Sequence, residues 1–389
     1  MKKCGIYIHI PFCIKKCNYC DFNSFAATSD VQSEYVIALQ KEFESFKKCQ
    51  EVCADTVFIG GGTPTLLEDS NLEKIILSLK QNISLADDTE FTIECNPKTA
   101  SLKTFRLLKS LGVNRLSLGV QSLCDATLKI LGRSHNVKDF LECYSAARIA
   151  GFENINFDLM FAVPNQSQKN WEKTVETAIK FEPAHISAYG LQLEENTYFY
   201  EHQNSYLFPS DEQNRKMYDF LIDRLLESGY NQYEISNFAK QGFECRHNLK
   251  YWDLTDYVGF GLGASSFYKG VRYQNPEKVQ EYVSFANNFT PLWEINEKQS
   301  RADLISEYMF LGLRLTKGVN NSDFEEKFKI SMFRLFPDVI EKNIKAGLLN
   351  YEGDRIFLSR KGLDFANLVM SDFILSNKDL DALEQKEGM

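Results

Sequence analysis

The sequence predicts an α/β fold on a parallel sheet. Three observations carry this: six short β-rich runs in the first half of the chain, helical patterns between them, and glycine or polar residues at the strand ends. The strand runs are Ile6–Ile10, Thr56–Gly60, Glu90–Cys95, Arg115–Gly119, Asn154–Met160 and His185–Leu191. Leu72, Ile75, Ile76 and Leu79 share one helical face behind the capping residues Asp69 and Ser70, and Leu102, Phe105 and Leu108 share another ahead of Gly112. A third helix runs from Val137 through Phe140, Leu141 and Tyr144 to Gly151, and a fourth carries Trp171, Val175 and Ile179 before Pro183. Six βα units in succession imply a parallel sheet, which either closes in part as six units of a (β/α)8 barrel or lies open and doubly wound.

In both arrangements ligands gather at the carboxyl ends of the strands. The first strand leads into Pro11 and the run PFCIKKCNYCDF, whose Cys13, Cys17 and Cys20 have C-x3-C-x2-C spacing. Three thiolates within eight residues can hold one iron–sulfur cluster and leave one of four irons open. Closely spaced cysteines also bind zinc, and a CxxC pair such as Cys17 and Cys20 can be redox active. Zinc calls for a fourth Cys or His, and the nearest histidine, His9, falls in the first strand. The later strand ends supply GGGTPT (60–65), Glu94 with Cys95 and Asn96, Gln121, Asp158 and Tyr189. The glycines permit a tight turn or a close backbone approach to a ligand, and a carboxylate such as Glu94 can either cap a helix or accept two hydrogen bonds from a diol. Gln121 reads equally as a loop filler, and Arg133 as a solvated charge.

The chain has 44 basic and 53 acidic side chains, a net charge of −9, which argues against general nucleic-acid binding. No run of about eighteen apolar residues occurs and the N-terminus carries no signal-peptide pattern, so a cytoplasmic protein is expected, with room for peripheral membrane contact. The other cysteines are scattered and read as reduced thiols, Cys49 and Cys53 as a structural pair.

The cysteine spacing is similar to the signature of the radical S-adenosylmethionine (SAM) superfamily, in which SAM chelates the open iron of a [4Fe-4S] cluster. More closely, IYIHIPFC…C..CDF, FIGGGTPTLL, IECNP, GVNRLSLGVQS, LGRSHN, NINFDLMFAVPNQ and HISAYGLQLEENT, in that order, resemble the oxygen-independent coproporphyrinogen III oxidase group across nearly the whole chain. The resemblance selects the partial barrel: a (β/α)6 radical SAM core over residues 1–230, then a C-terminal α+β domain over 231–389 with a winged-helix-like segment. It implies Cys13, Cys17 and Cys20 as cluster ligands. It also implies SAM contacts at Tyr7, Gly62, Thr63, Glu94, Gln121, Arg133 and Asp158, with Tyr19 and Gly190 as further members. Arg133 would meet the SAM carboxylate, and Glu94 and Asp158 the ribose hydroxyls and amino group. One-electron reduction of such a cluster releases a 5′-deoxyadenosyl radical, so an electron donor is an implied partner.

Within that group the oxidase carries a longer N-terminal extension and a further cysteine two residues after the third ligand. Here Tyr7 lies near the start and position 22 is Phe22. Both departures favour the heme chaperone branch, HemW, whose cargo is heme and whose partners are heme-accepting apoproteins. In CRHNLKYW (245–252), His247 to Trp252 resembles the HNxxYW motif of that branch, which makes His247 the candidate heme ligand and Cys245 a weaker one; the residues alone read better as a structural histidine beside two core aromatics. No residue is singled out as catalytic. Gly259–Ala264 satisfies GxGxxA but opens no βαβ unit; by resemblance it helps the second domain close over the barrel mouth. Leu304, Tyr308, Leu311 and Leu315 mark an amphipathic helix, and Leu348–Leu358 a hairpin turning at Gly353, in a tail read as a lid or partner surface. Two other readings stay open: coproporphyrinogen III decarboxylation, and radical SAM chemistry on another substrate.

Overall fold

A computed structural model describes residues 3–378 and Leu380. Strands β1 (Lys3–Ile10), β2 (Cys53–Gly61), β3 (Ser84–Cys95), β4 (Arg115–Gln121), β5 (Asn154–Phe161) and β6 (His185–Gly190) lie side by side in chain order, every neighbour parallel. A doubly wound sheet needs a reversal of strand order, and none occurs among these six, so the partial barrel is the outcome. Helices α1 (Ser29–Cys49), α2 (Asp69–Asn82), α3 (Leu102–Ser110), α4 (Asp125–Ile130), α5 (Val137–Ile149) and α6 (Gln168–Lys180) fill the crossovers. Their apolar faces join the outward residues of the strands in one core: Ile6, Ile8, Ile10, Leu116, Leu118, Ile155 and Phe157 pack with Leu72, Ile76, Phe105, Phe140 and Trp171. Asn136 caps α5 through a reciprocal capping box with Asp139, and Ser101 and Ser167 accept from the first turns of α3 and α6.

Both flanks of the six-stranded core are extended. On one side β9 (Tyr257–Phe260) runs parallel to β1, followed by antiparallel β10 (Ser265–Tyr268) and β11 (Val271–Gln274); on the other, β8 (Asn237–Ala239) pairs antiparallel with β6, and β7 (Asn231–Glu234) with β8. The result is a single eleven-stranded sheet.

A separate core begins at Ala302. It holds a winged-helix-like unit: β12 (Val319–Asn320), helices Asn321–Phe328 and Pro337–Lys345, then the hairpin β13 (Leu349–Glu352) and β14 (Arg355–Leu358), which turns through Gly353 at φ +65°. The preceding helix, Arg301–Gly312, stops short of Leu315 and is covered on two sides. Ala302, Ile305 and Met309 enter the tail core, Leu311 lies against the barrel side with Tyr251, Tyr257 and Phe267, and Leu304 and Tyr308 touch both. Periodicity marked the second face alone, because both faces are apolar. Among the described residues no helix is long and apolar enough to cross a membrane.

The glycine-rich segment after β9 packs against β1 and α1. Gly261, at φ +97°, donates its N–H to Glu42 of α1, and a Cβ there would stand 2.4 Å from Tyr35 Oη and 2.6 Å from the His9 carbonyl. Glu42 also accepts from Tyr282 (2.6 Å) and Asn275 (2.7 Å), so one buried carboxylate ties α1 to β9, β11 and the helix after them. Burial, partly offset by these donors, pushes Glu42 up to about 7 from 4.5. A raised acid gives stability that is full below its unfolded pKa and falls as pH rises through its folded one. Urea midpoints should therefore decline between pH 4.5 and 7 in the wild type, and Glu42→Gln should flatten that decline. An equal slope in both proteins would remove Glu42 as its source.

Candidate functional site

The loop after β1 carries the three cysteines, and backbone hydrogen bonds hold both of its ends. Cys13 N–H donates to Phe25 O and Phe25 N–H to Pro11 O, while Cys20 N–H closes a turn on Cys17 O. The loop after β2 is sewn to it: Gly62 N–H reaches Ile10 O and Thr63 N–H reaches Phe12 O, each at 2.8 Å. Gly62 has to be glycine, since a Cβ would lie 2.7 Å from Phe12 O and 3.0 Å from Cys13 Sγ. All three thiols are free and line one cavity of about 320 Å³ at the carboxyl ends of the strands.

Seven of the nine residues expected at SAM line the same cavity: Tyr19, Gly62, Thr63, Glu94, Gln121, Arg133 and Asp158. Glu94 ends β3 and accepts Gly61 N–H at 3.1 Å; burial and then the nearby Asp158 push it up to about 8. Asp158 accepts from Ser117 (3.0 Å) and Asn156 (2.8 Å), and burial raises it despite these donors. Gln121 turns off the end of β4 at φ +60°, a left-handed conformation that a non-glycine residue adopts at a cost. Arg133 donates to Gly119 O at 2.9 Å and approaches Tyr19 Oη and Cys17 Sγ, yet its buried Nε has no partner. A buried guanidinium with an unused N–H is a ready donor site for a carboxylate.

The other two expected SAM residues line the adjoining spaces. Tyr7, an inward position of β1 below the strand end, donates to or accepts from His9 Nδ1 at 3.0 Å and faces a deeper chamber of about 190 Å³. Gly190, the last residue of β6, is shielded by the Phe161 ring and faces a neighbouring cleft. His9 holds Asn23 O with its other nitrogen, so it offers no fourth ligand to a metal at the cysteines.

His247 forms the floor of the deeper chamber. Its Nδ1 lies 2.8 Å from Thr56 Oγ1 and its Nε2 2.9 Å from Tyr251 Oη, and the ring stacks on Phe58. Burial, with Lys250 and Arg115 nearby, lowers it to about 3, so it is neutral. The sequence expectation of a heme ligand does not fit this arrangement: the ring is 1% exposed and both nitrogens are engaged. Cys245 is equally buried, with its Sγ on Glu90. Sequence reasoning also missed Arg115, Ser117, Asn156 and Ser187, which line the chamber with Glu94 and Asp158. Their signal was alternation: in RLSLGVQ the apolar residues point to the helices and Arg115, Ser117, Gly119 and Gln121 point inward.

A partial barrel with three thiols and a ring of polar strand ends defines the class. Residues 7–178 match the radical SAM superfamily and residues 299–365 match the HemN C-terminal domain. The chain is 39% identical to the heme chaperone HemW of Bacillus subtilis, over 95% of this chain and 98% of that one, and 38% identical to HemW of Lactococcus lactis, over 95% and 97%. The solved coproporphyrinogen III oxidase HemN of Escherichia coli superposes with a TM-score of 0.84 at 22% identity, covering 96% of this chain and 90% of that one, which shows a shared fold. The chain belongs to the HemW family of the radical SAM superfamily. Membership implies SAM and a [4Fe-4S] cluster, and the residues present fit both. Three thiols face one cavity, burial pushes Cys20 up to about 11 so that a positive centre is needed to keep it a thiolate, and an Arg and two carboxyl groups surround the space beside them. Among the described residues no group of three His, Cys, Asp or Glu stands close enough to hold a single metal ion.

Since Glu94 is raised, the neutral acid dominates at pH 7 and the carboxylate, which accepts both hydroxyls of a diol, appears as pH rises through about 8. SAM affinity, followed by calorimetry of the reconstituted protein, should rise between pH 7 and 9. In Glu94→Gln it should fall about tenfold or more and lose that slope. A pH profile shared by both proteins would take Glu94 out of the SAM site.

Proposed function

We propose that the protein is a heme chaperone: it binds heme, carries a SAM-coordinated [4Fe-4S] cluster held by Cys13, Cys17 and Cys20, and delivers heme to acceptor apoproteins. The observation that carries this reading is the full-length similarity to proteins named heme chaperone HemW. Phe22 supports it, because an exposed phenylalanine (58%) stands at the cavity rim where the oxidase resemblance calls for a further cysteine. When bound, cluster and SAM supply one-electron chemistry at the mouth of the barrel. The chain's own residues have four tasks there. Arg133 orients the SAM carboxylate, Glu94 and Asp158 take its hydroxyls and amino group, Gly62 and Thr63 let the backbone approach, and Tyr19 covers the site beside Arg133.

The fold is shared with a decarboxylating enzyme, so the test must separate carrying from chemistry. Anaerobic incubation of the reconstituted protein with coproporphyrinogen III, SAM and a reductant should leave the tetrapyrrole unchanged. Heme titration of the same preparation should give a saturable Soret band, and heme should pass from it to an apoprotein. Accumulating protoporphyrinogen, or no Soret change, would overturn the chaperone reading.

A further inference from the structure

Next to the cluster cavity lies a larger cleft, about 750 Å³, between the ends of β5 and β6, helix Asp211–Glu227 and tail residues Leu363, Asp364 and Phe365. The two spaces share Tyr19, Asp21, Met160 and Tyr189, so one opens into the other. Polar and apolar side chains line the cleft in similar measure, and the apolar ones include an aromatic group. Phe161 and Tyr218 stack at 14° with centroids 6.0 Å apart, and Phe365 is 39% exposed. Arg215 is the cleft's one cation among the described lining residues; its guanidinium lies 5.9 Å from the Phe365 ring centroid and pairs with Asp364 at 3.1 Å. Asp21, Glu194 and Asp211 also face the space.

We propose that this cleft is the tetrapyrrole site, with the macrocycle between the aromatic walls and its carboxylate edge on Arg215. The proposal rests on the chaperone reading and adds the location and orientation of the cargo. Cluster and SAM account for the 320 Å³ cavity, and the 190 Å³ chamber, which meets it at Glu94, Ser117, Asp158 and Tyr189, is the smallest of the three spaces, which leaves the cleft as the space in the size range of a larger ligand. A propionate would take Arg215 from Asp364, a pair in which the arginine side chain is 45% exposed and so only weakly held. Asp21 stands at the passage to the cluster and repels carboxylates there. The propionates therefore point to the tail and away from the cluster, an orientation for carrying a tetrapyrrole rather than attacking its side chains. Met160, Tyr19 and Tyr189 border the passage with atoms able to ligate iron.

The test uses the full chain, titrated with heme, with heme dimethyl ester and with iron-free protoporphyrin IX. Ser236 lines the cleft and makes its hydrogen bonds to Glu234 and Ala188 through its backbone, so Ser236→Trp fills the space without removing them. Ser236→Trp should weaken all three ligands about tenfold or more while SAM affinity is kept. Arg215→Glu should weaken heme and protoporphyrin by a similar factor and leave the dimethyl ester unchanged. His247→Gln should retain the Soret band. If the wild type takes up no heme, the chaperone reading itself falls. If it does, and both cleft variants bind as it does, the cleft is the wrong site. Should Ser236→Trp fail to fold, the ester comparison in Arg215→Glu decides by itself.

Discussion

Everything in this molecule depends on the two-faced character of its six parallel strands. Outward residues are apolar and bury against the helices, which supplies the main core. Inward residues are mostly polar, so the barrel interior cannot close by hydrophobic packing, and space remains along its axis. That interior is stable because its groups satisfy one another. Asn156 donates to Ser117 and Asp158 and accepts from His185 and Ser187, and the far nitrogen of His185 meets Tyr233 at 2.8 Å. One amide thereby fixes residues from three strands, and Asp158, at the border of chamber and cavity, is aimed by the same network.

The electrostatics of the mouth follow from this arrangement. Carboxyls on inward positions lose water, so Glu94 and Asp158 are both raised, and each raises the cost of ionising the other. Two guanidiniums, Arg115 and Arg133, are buried in the same region, each with an Nε that lacks a partner. Unspent donors beside under-ionised acids suit a zwitterionic ligand, whose carboxylate meets the donors and whose amino group meets the acids.

The parallel core was legible in the sequence because its strands carry apolar runs flanked by helical periodicity, and the cavity was legible because the ligand-facing residues sit at strand ends. Flanking strands β7 to β11 were not. They are three or four residues long, too short for periodicity, and pair at the sheet edges through contacts from distant parts of the chain. Tyr7 and Gly190 were assigned by likeness to a motif, which gives the residue but not its height in the barrel. Tyr7 sits one inward position below His9, and Gly190 turns toward the neighbouring cleft. Arg115 was read only as the start of a strand, since a buried arginine has no sequence signature beyond its place in an alternating run.

The segment from Cys245 to Trp252 illustrates how a motif can be right about location and silent about role. Glu90 receives the N–H groups of Arg246 and His247 at the start of helix Arg246–Trp252, which compensates its unsatisfied donors. Lys250 pairs with Asp55 at 2.8 Å with both side chains largely buried, and Trp252 carries Arg314 4.4 Å from its ring centroid. These contacts reach β2, β3 and the segment leading to the tail, so the helix plugs the barrel floor and joins its two ends of sequence. Each partner, once removed, leaves a buried charge or donor unpaired, a loss of a few kcal/mol spread over β2, the strand that carries the glycine loop. A change at His247 therefore reaches the cluster cavity through Thr56 and Phe58, and lost cofactor or cargo binding in such a variant does not by itself identify a ligand.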